Sequence, residues 1–475
     1  MIRRLTFCMA AVLAIGACSD RDSTPTDPSQ APAVSFGKTS STYVISFSRA
    51  ASDIKAAVER AGGKAGYVSQ RAGLATAESD DPAFAKKLGS EQGIRAVAMD
   101  TVVQWLDPND RVQQASIGTN EPFFAAQWAP RSIHAEEAWD AGARGTGARV
   151  AVLDGGLNNL HIDLNDPSTI DEANSRSFVS GFAYNQDAPC GATSCFSHAT
   201  HVSGIIAAED DGVGTIGIAP GVTIIGVKVL HGGGGSFGAI IAAIVYAASP
   251  DDTPEEEGGG AGAHIINMSL GAQFPSGRDI KVRALKAMLD EATTFAHNEG
   301  VLVVASAGNG DRQGRGIDHD LGRWFTLPAQ SDHVVGVSAL GPVGFAQGAT
   351  NFDRLASYSN FGTRLVDLSG PGGDGVLPGN ALCTIGVLAG VPCWVFDLVL
   401  SPATLGSNTG YFWAAGTSMS APAVAGVAAL VVGTKGDIGS DAVLDVLVNT
   451  ADDLGAPGID PVHGKGRVNA FEAIQ

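Results

Sequence analysis

The sequence predicts an α/β fold: a parallel sheet with helices on both faces, preceded by a small α+β unit of ferredoxin-like order. Three observations predict it. From about residue 123 onward, short apolar runs alternate with helical stretches, the order that lays strands side by side in one direction with helices over them. Before that point, residues 42–107 read strand, helix, strand, strand, helix, strand. Finally, a chain of 475 residues with 44% hydrophobic residues, 17% charged residues and 62 glycines has the composition of a tightly turned globular body, long enough for two or three domains.

Residues 1–18 read as a signal peptide. Arg3 and Arg4 precede an apolar run from Leu5 to Ile15 that is too short to span a bilayer. The run closes as Ile15-Gly16-Ala17-Cys18, which resembles a bacterial lipoprotein signal in which Cys18 is lipidated; an ordinary cleavage site with an incidental cysteine is the other reading. Export is expected on both, either to an envelope anchor or to the medium. Residues 19–41 are rich in Ser, Thr, Pro and Asp with little to bury, a flexible linker. Within 42–107, TYVISF alternates as a strand and SDIKAAVERAGG reads as a helix closed by glycine. GYVSQRAGLATAES fits one or two strands, DPAFAKKLGSEQGI a second helix, and VAMDTVVQWL a last strand. The polar stretch DPNDRVQQASIGTNEP leads from this unit into the larger one, 108–475.

In the larger unit, the strand candidates ARVAVLD, VTIIGVKVL, AHIINMSL, VLVVASAGN and HVVGVSAL are interleaved with the helical HATHVSGIIAAE, FGAIIAAIVYAAS and VRALKAMLDEATTFAHNEG. In a sheet of this kind ligands bind beyond the carboxyl ends of the strands. A net charge of −19 without a basic cluster argues against nucleic acid as a partner. Of six cysteines, Cys8 and Cys18 lie in the signal. Cys190 with Cys195 and Cys383 with Cys393 are two close pairs, expected as disulfides in an exported protein and lacking the spacing of a zinc site.

Four residues at strand and helix ends suggest chemistry. Asp154 ends RVAVLD, where two glycines force a turn. His198 opens HATHVSG at the head of a small-residue helix, rigid enough for a general base oriented by a carboxylate. Ser418 lies in GTSMSAP before an apolar helix, whose N-terminus favours negative charge developing nearby. Asn309 follows VLVVASAG, where its amide would donate to an oxyanion. His198 and His201 stand one helical turn apart, but no glutamate lies between them as in the metalloprotease motif, so no catalytic metal is expected.

Taken together, VLDGG, HATHVSG, INMSLG, SAGN and GTSMSAP resemble the subtilisin family of serine proteases, whose chain order of Asp, His and Ser is the order here. The resemblance runs from about 42 to 475 and includes the closing GKGRVNAFEAI; residues 42–107 resemble the inhibitor-type propeptide that precedes such catalytic domains. It implies a catalytic triad of Asp154, His198 and Ser418 with Asn309 as oxyanion donor. Gly233, Gly234 and Gly235 on one side, and Ser269, Leu270 and Gly271 on the other, would pair with an extended peptide substrate. Phe237 would shape an outer apolar subsite, giving broad, apolar-leaning specificity. The family's calcium site would fall on Asp163 and Asp211, with the carbonyls of Glu209, Val213 and Thr215. A monomer is implied, held as a zymogen by its own propeptide and cut by itself between about Leu106 and Pro122. Two positions depart from the family pattern: Gly155 where Thr or Ser is usual, and Ala199 where Gly is usual. The competing readings are an inactive binding protein on the same scaffold and a hydrolase of esters or amides. Retention of all four site residues argues against the first, and the propeptide-like unit against the second.

Overall fold

The computed structural model describes residues 41–51, 53–106, 111–114, 123–187, 196–276, 280–405 and 408–475. The first elements are β1 (Ser41–Phe47), α1 (Ile54–Arg60), β2 (Lys64–Ser69), β3 (Leu74–Ser79), α2 (Phe84–Leu88) and β4 (Ile94–Met99), the order expected from the sequence. The strands form one antiparallel sheet, β2-β3-β1-β4. Alternation along β1 sends Tyr43, Ile45 and Phe47 to a core shared with Ile54, Val58, Phe84 and Leu88 of the two helices. Val44 points the other way, into a core it shares with the large unit.

The stretch VAMDTVVQWL is two elements rather than the single strand expected. Asp100 breaks it: its carboxylate accepts from the Thr101 amide (2.7 Å) and from the Gly238 amide (3.0 Å) at the head of a helix in the large unit. The chain turns there into β5 (Val102–Gln104), which leaves the first sheet and pairs with residues 234–236. Alternation along the sequence carries no trace of a cap supplied to a helix far along the chain.

Next come β6 (Arg111–Gln114), α3 (Ala129–Ser132), α4 (Ala135–Asp140), β7 (Arg149–Asp154), β8 (Arg176–Ser177), α5 (His198–Ala207), β9 (Thr223–Lys228), β10 (Gly234–Ser236) and α6 (Phe237–Ala248). They are followed by β11 (Ile265–Met268), β12 (Ala272–Pro275), α7 (Ile280–Asn298), β13 (Leu302–Ser306), β14 (Trp324–Leu327), β15 (Val334–Leu340) and β16 (Leu368–Pro371). The last are β17 (Leu382–Ile385), β18 (Leu388–Pro392), β19 (Val399–Leu405), β20 (Asn408–Ala415), α8 (Thr417–Lys435), α9 (Ser440–Thr450) and α10 (Ala470–Ile474).

Seven strands form the parallel sheet, β16-β15-β13-β11-β7-β9-β8. Its buried strands bury both faces, as a sheet covered on each side must. Val150, Val152, Ile265 and Val304 pack toward Val202 of α5 and Val424 and Val427 of α8. Ala151, Leu153, Ile266 and Val303 pack toward Ile240 and Ile244 of α6 and Leu289 of α7. Among the described residues only α8 is long and apolar enough to cross a bilayer, and it is buried as a core helix. Cys383 and Cys393 are bonded across the β17–β18 hairpin. Cys18 and the pair Cys190 and Cys195 lie outside the described residues.

Candidate active site

Asp154 is the last residue of β7, fully buried, and its backbone and side chain are both tied down. Its carbonyl accepts from the Val229 amide (2.8 Å) and the Leu230 amide (3.0 Å), and its Oδ1 from the Gly155 amide (2.6 Å). Oδ2 is left facing His198, whose Nδ1–H donates to it at 2.8 Å. His198 is the first residue of α5 and is 5% exposed. The tautomer that donates through Nδ1 leaves Nε2 as the basic atom. One turn on, Nε2 of His201 donates to the Phe412 carbonyl at 3.0 Å, and burial pushes its pKa down to about 3. His201 is therefore a neutral strut between α5 and β20.

Ser418 is the second residue of α8 and also 5% exposed. Pro422 stands four residues later and has no N–H, so it cannot donate to the Ser418 carbonyl as a helix would require. Ser269 supplies the missing donor: its hydroxyl reaches that carbonyl at 2.8 Å and accepts from Nδ2 of Asn267 at 3.0 Å. In return, the Ser418 hydroxyl donates to the Ser269 carbonyl at 3.2 Å. The nucleophile candidate is thus held from both ends by the segment just after β11. The Asn309 amide is oriented in a similar way. Its Oδ1 accepts from the Thr417 amide and hydroxyl, both at 2.8 Å, so the donor end, Nδ2, is turned toward the Gly416–Ser418 turn. A Cβ added to Gly416 would stand 3.4 Å from that nitrogen. Thr417 Oγ1 also accepts from the Gly308 amide at 3.0 Å.

The structure therefore brings Asp154 and His198 into direct contact, and sets Asn309 and Ser418 on either side of Thr417. Sequence reading missed Thr417, Asn267 and the buried Lys228. Thr417 and Asn267 lie inside GTSMSAP and INMSLG, and their roles show only in the bonds that the fold lets them make. Lys228 lies opposite Asp154 in the strand register, with Nζ donating to the Leu230 carbonyl at 2.6 Å. Burial lowers its pKa, while the charges of Asp187 and Asp154 oppose that shift. A side chain on Gly155 would approach Asp187 Oδ1 to 3.1 Å, an oxygen that already accepts from the Gly156 amide at 2.9 Å. Ala199 is buried and packed within the core, so its methyl is accommodated.

The residues expected to flank a substrate do flank an extended segment, and that segment is the chain's own β5 and the two residues after it. Gly234, Gly235 and Ser236 oppose Gln104, Val103 and Val102. Trp105 N–H donates to the Gly233 carbonyl at 2.9 Å, and Gly271 N–H donates to the Trp105 carbonyl at 3.0 Å. Trp105 is 2% exposed; its indole N–H donates to the Gly235 carbonyl at 2.8 Å and its ring meets Phe237 edge to face, centroids 5.0 Å apart. Leu270 is buried within the same apolar cluster.

Asp163, Glu209, Asp211, Val213 and Thr215 are close together, and the carboxylates among them accept hydrogen bonds. Asp163 Oδ2 accepts from the Thr215 amide (2.9 Å) and hydroxyl (3.0 Å), and Oδ1 accepts from the Tyr411 hydroxyl at 2.5 Å. Glu209 accepts from the Asp166 amide and the Thr169 hydroxyl; Asp211 caps the Val213 amide at 2.9 Å. Among the described residues no group of three metal-capable side chains converges. Burial pushes the Asp163 pKa up to about 6.

Comparison with known proteins identifies the family. A model of the subtilase family matches residues 145–466. Subtilisin DY of Bacillus licheniformis is 31% identical over 343 residues, covering 72% of this chain and 96% of that one. Thermitase of Thermoactinomyces vulgaris is 29% identical over 360 residues, covering 75% and 99%. The crystal structure of the epidermin leader peptide processing serine protease of Staphylococcus aureus shares the fold, with a TM-score of 0.68 at 20% identity over 92% of this chain and 98% of that chain. With the family model matching most of the chain, the protein belongs to the subtilase family and is, at the level of that family, a serine endopeptidase.

Proposed function

We propose that the chain is an exported serine endopeptidase, made as a zymogen, in which Asp154, His198 and Ser418 act as the triad and Asn309 as oxyanion donor. The observation that carries this reading is the buried 2.8 Å bond from His198 Nδ1 to Asp154, which leaves Nε2 as the base. In the reaction, Ser418 Oγ attacks the scissile carbonyl while His198 Nε2 takes its proton. The oxyanion that forms is met by Asn309 Nδ2 at the head of α8. His198 then returns the proton to the leaving amine, and water activated by the same nitrogen frees the acyl group. Residues 42–107 act as an inhibitor-type propeptide whose end occupies the substrate cleft, with Trp105 filling the apolar space beside Phe237. Self-cleavage after that segment, between Leu106 and Pro122, opens the cleft. Broad specificity leaning to apolar side chains follows from that lining, and Cys18 is the site at which an exported form would be anchored.

The test compares the chain without residues 1–18 with its Ser418→Ala variant, following intact mass, casein hydrolysis and labelling by a serine-directed fluorophosphonate. The parent alone should lose its propeptide, hydrolyse casein and be labelled at Ser418. A Ser418→Ala protein, purified alone, that still lost the propeptide would refute self-cleavage. A folded, propeptide-free parent that neither labelled nor hydrolysed would favour the inactive-scaffold reading.

A further inference from the structure

β17 and β18 form a two-stranded sheet that no other described strand extends, tied near its open end by the Cys383–Cys393 disulfide. Alternation sends Cys383, Ile385, Leu388 and Val391 inward, to a core that includes Phe396 and Trp413. The outward positions of an antiparallel sheet with one solvated face are ordinarily polar. Here they are Leu382, Thr384 and Ala389, and Leu382 is 66% exposed. The turn Gly386-Val387 places Val387, 55% exposed, at a hairpin tip, where Asn, Asp or Gly is the usual choice.

The same surface is empty of charge. The chain has 17% charged residues and a net charge of −19, yet residues 375–396 contain no Asp, Glu, Lys or Arg, and neither do residues 341–352. The two stretches are neighbours: the turn Phe345–Gln347 packs on β17, and a Cβ on Gly344 would stand 3.8 Å from Leu377. Val343 and Val376 add exposed apolar side chains. The acids that flank the hairpin are fully buried. Asp374 accepts from Arg354 at 2.8 Å, and Asp397 from the amides of Gly344 (2.8 Å) and Phe345 (2.7 Å). A protein partner is held by an apolar centre within a polar rim of hydrogen bonds, and the hairpin stretch supplies only Asn380 and Thr384 toward one. A lipid surface asks instead that no charge be desolvated. Trp394, partly exposed just after β18, is of the residue type that settles at the level of lipid headgroups.

We propose that the β17–β18 hairpin is an interfacial membrane anchor, with Leu382 and Val387, flanked by Val376 and Val343, entering the boundary between headgroups and acyl chains of a bilayer. Insertion is shallow, because the outer edges of β17 and β18 carry main-chain groups that no described strand pairs and that hydrocarbon would leave unsatisfied. The acidic body sets the lipid class: anionic headgroups repel a net charge of −19, so the favoured surface is zwitterionic. The proposal stands apart from the protease reading. It also bears on location, since the hairpin belongs to the unit that carries Ser418 and so holds that unit at a membrane after self-cleavage has parted it from Cys18.

The experiment uses the chain without residues 1–18, carrying Ser418→Ala to prevent self-digestion, and measures its co-sedimentation with vesicles of phosphatidylcholine, alone and mixed with phosphatidylglycerol. We expect the protein to partition onto phosphatidylcholine, and less onto the anionic mixture at low salt. Leu382→Ser combined with Val387→Ser should lower the partition coefficient at least about tenfold, with the melting temperature unchanged because both side chains are exposed. Failure of the parent to bind phosphatidylcholine overturns the anchor. So does binding that survives the double substitution, or binding that needs phosphatidylglycerol and is lost in salt, which would be electrostatic. A dimer in sedimentation equilibrium that the double substitution dissolves, without vesicle binding by the parent, gives this face to a second copy of the chain and overturns the anchor as well.

Discussion

Thr417 sits between the two groups on which the proposed chemistry depends, and it is fully buried. Its hydroxyl donates to Asn309 Oδ1 and accepts from the Gly308 amide, so Thr417→Val removes both bonds at nearly constant volume. The orphaned Gly308 N–H should cost about 1–3 kcal/mol of stability, and the loosened amide about tenfold in kcat with KM little changed. Thr417→Ser should restore most of both; if it restores stability but not kcat, Thr417 is structural only. Ser269→Ala makes a parallel case, because Pro422 leaves the Ser418 carbonyl with no helical donor. In a Ser418→Ala background that prevents self-digestion, chemical denaturation should show a loss of about 1–3 kcal/mol. Asp154, His198, Ser418 and Asn309 were legible in the sequence because each sits at the end of a strongly patterned element. Their supports were not, since the bonds from Thr417 to Asn309 and from Ser269 to Ser418 join residues more than a hundred positions apart.

At the scale of elements, apolar alternation and glycine stops predicted the strands and helices of both units, and they failed where one element is completed by another. Asp100 ends β4 by capping a helix of the large unit, and the loop 209–215 is closed by a tyrosine from β20. The acidic residues of that loop suggested a cation, and Tyr411 and Thr215 bond to the two oxygens of Asp163. The burial of Asp163 has a thermodynamic signature. The folded-state pKa of Asp163, about 6, lies above its ordinary value of 3.8, chiefly through burial. Between those values the folded state binds more protons than the unfolded one, so this group's contribution to stability falls as pH rises through that window. Asp163→Asn removes that dependence. The melting temperature of the variant minus that of the parent should therefore be more favourable at pH 7.5 than at pH 4, in the same Ser418→Ala background. Added calcium tests the cation in this loop: a rise of several degrees in the parent's melting temperature, abolished in Asp163→Asn, supports it, and no shift with either calcium or EDTA overturns it.

Across the whole molecule, three of the contacts that hold the small unit to the large one are of unequal weight. Arg71 with Glu299 and Arg95 with Glu291 are ion pairs on partly exposed side chains, of the kind that contributes about 0–1 kcal/mol each and weakens with salt. Val44, Leu74 and Ala98 share a core with α6 and α7. The third contact is the β5 segment, where a single residue, Trp105, is buried against Phe237 and hydrogen-bonded to Gly235 across 130 positions of sequence. Truncating a buried tryptophan costs about 3–5 kcal/mol where the site cannot close, far more than either ion pair. Trp105→Ala in the uncut Ser418→Ala chain should therefore favour the state in which the 102–106 segment has left the cleft. Cleavage by added trypsin samples that open state in proportion to its population. The small unit should be removed at least tenfold faster from Trp105→Ala, whereas raising the salt in the parent should change the rate by only a few-fold. If the two effects are reversed, the charged pairs with Glu291 and Glu299 rather than the cleft contact keep the zymogen closed.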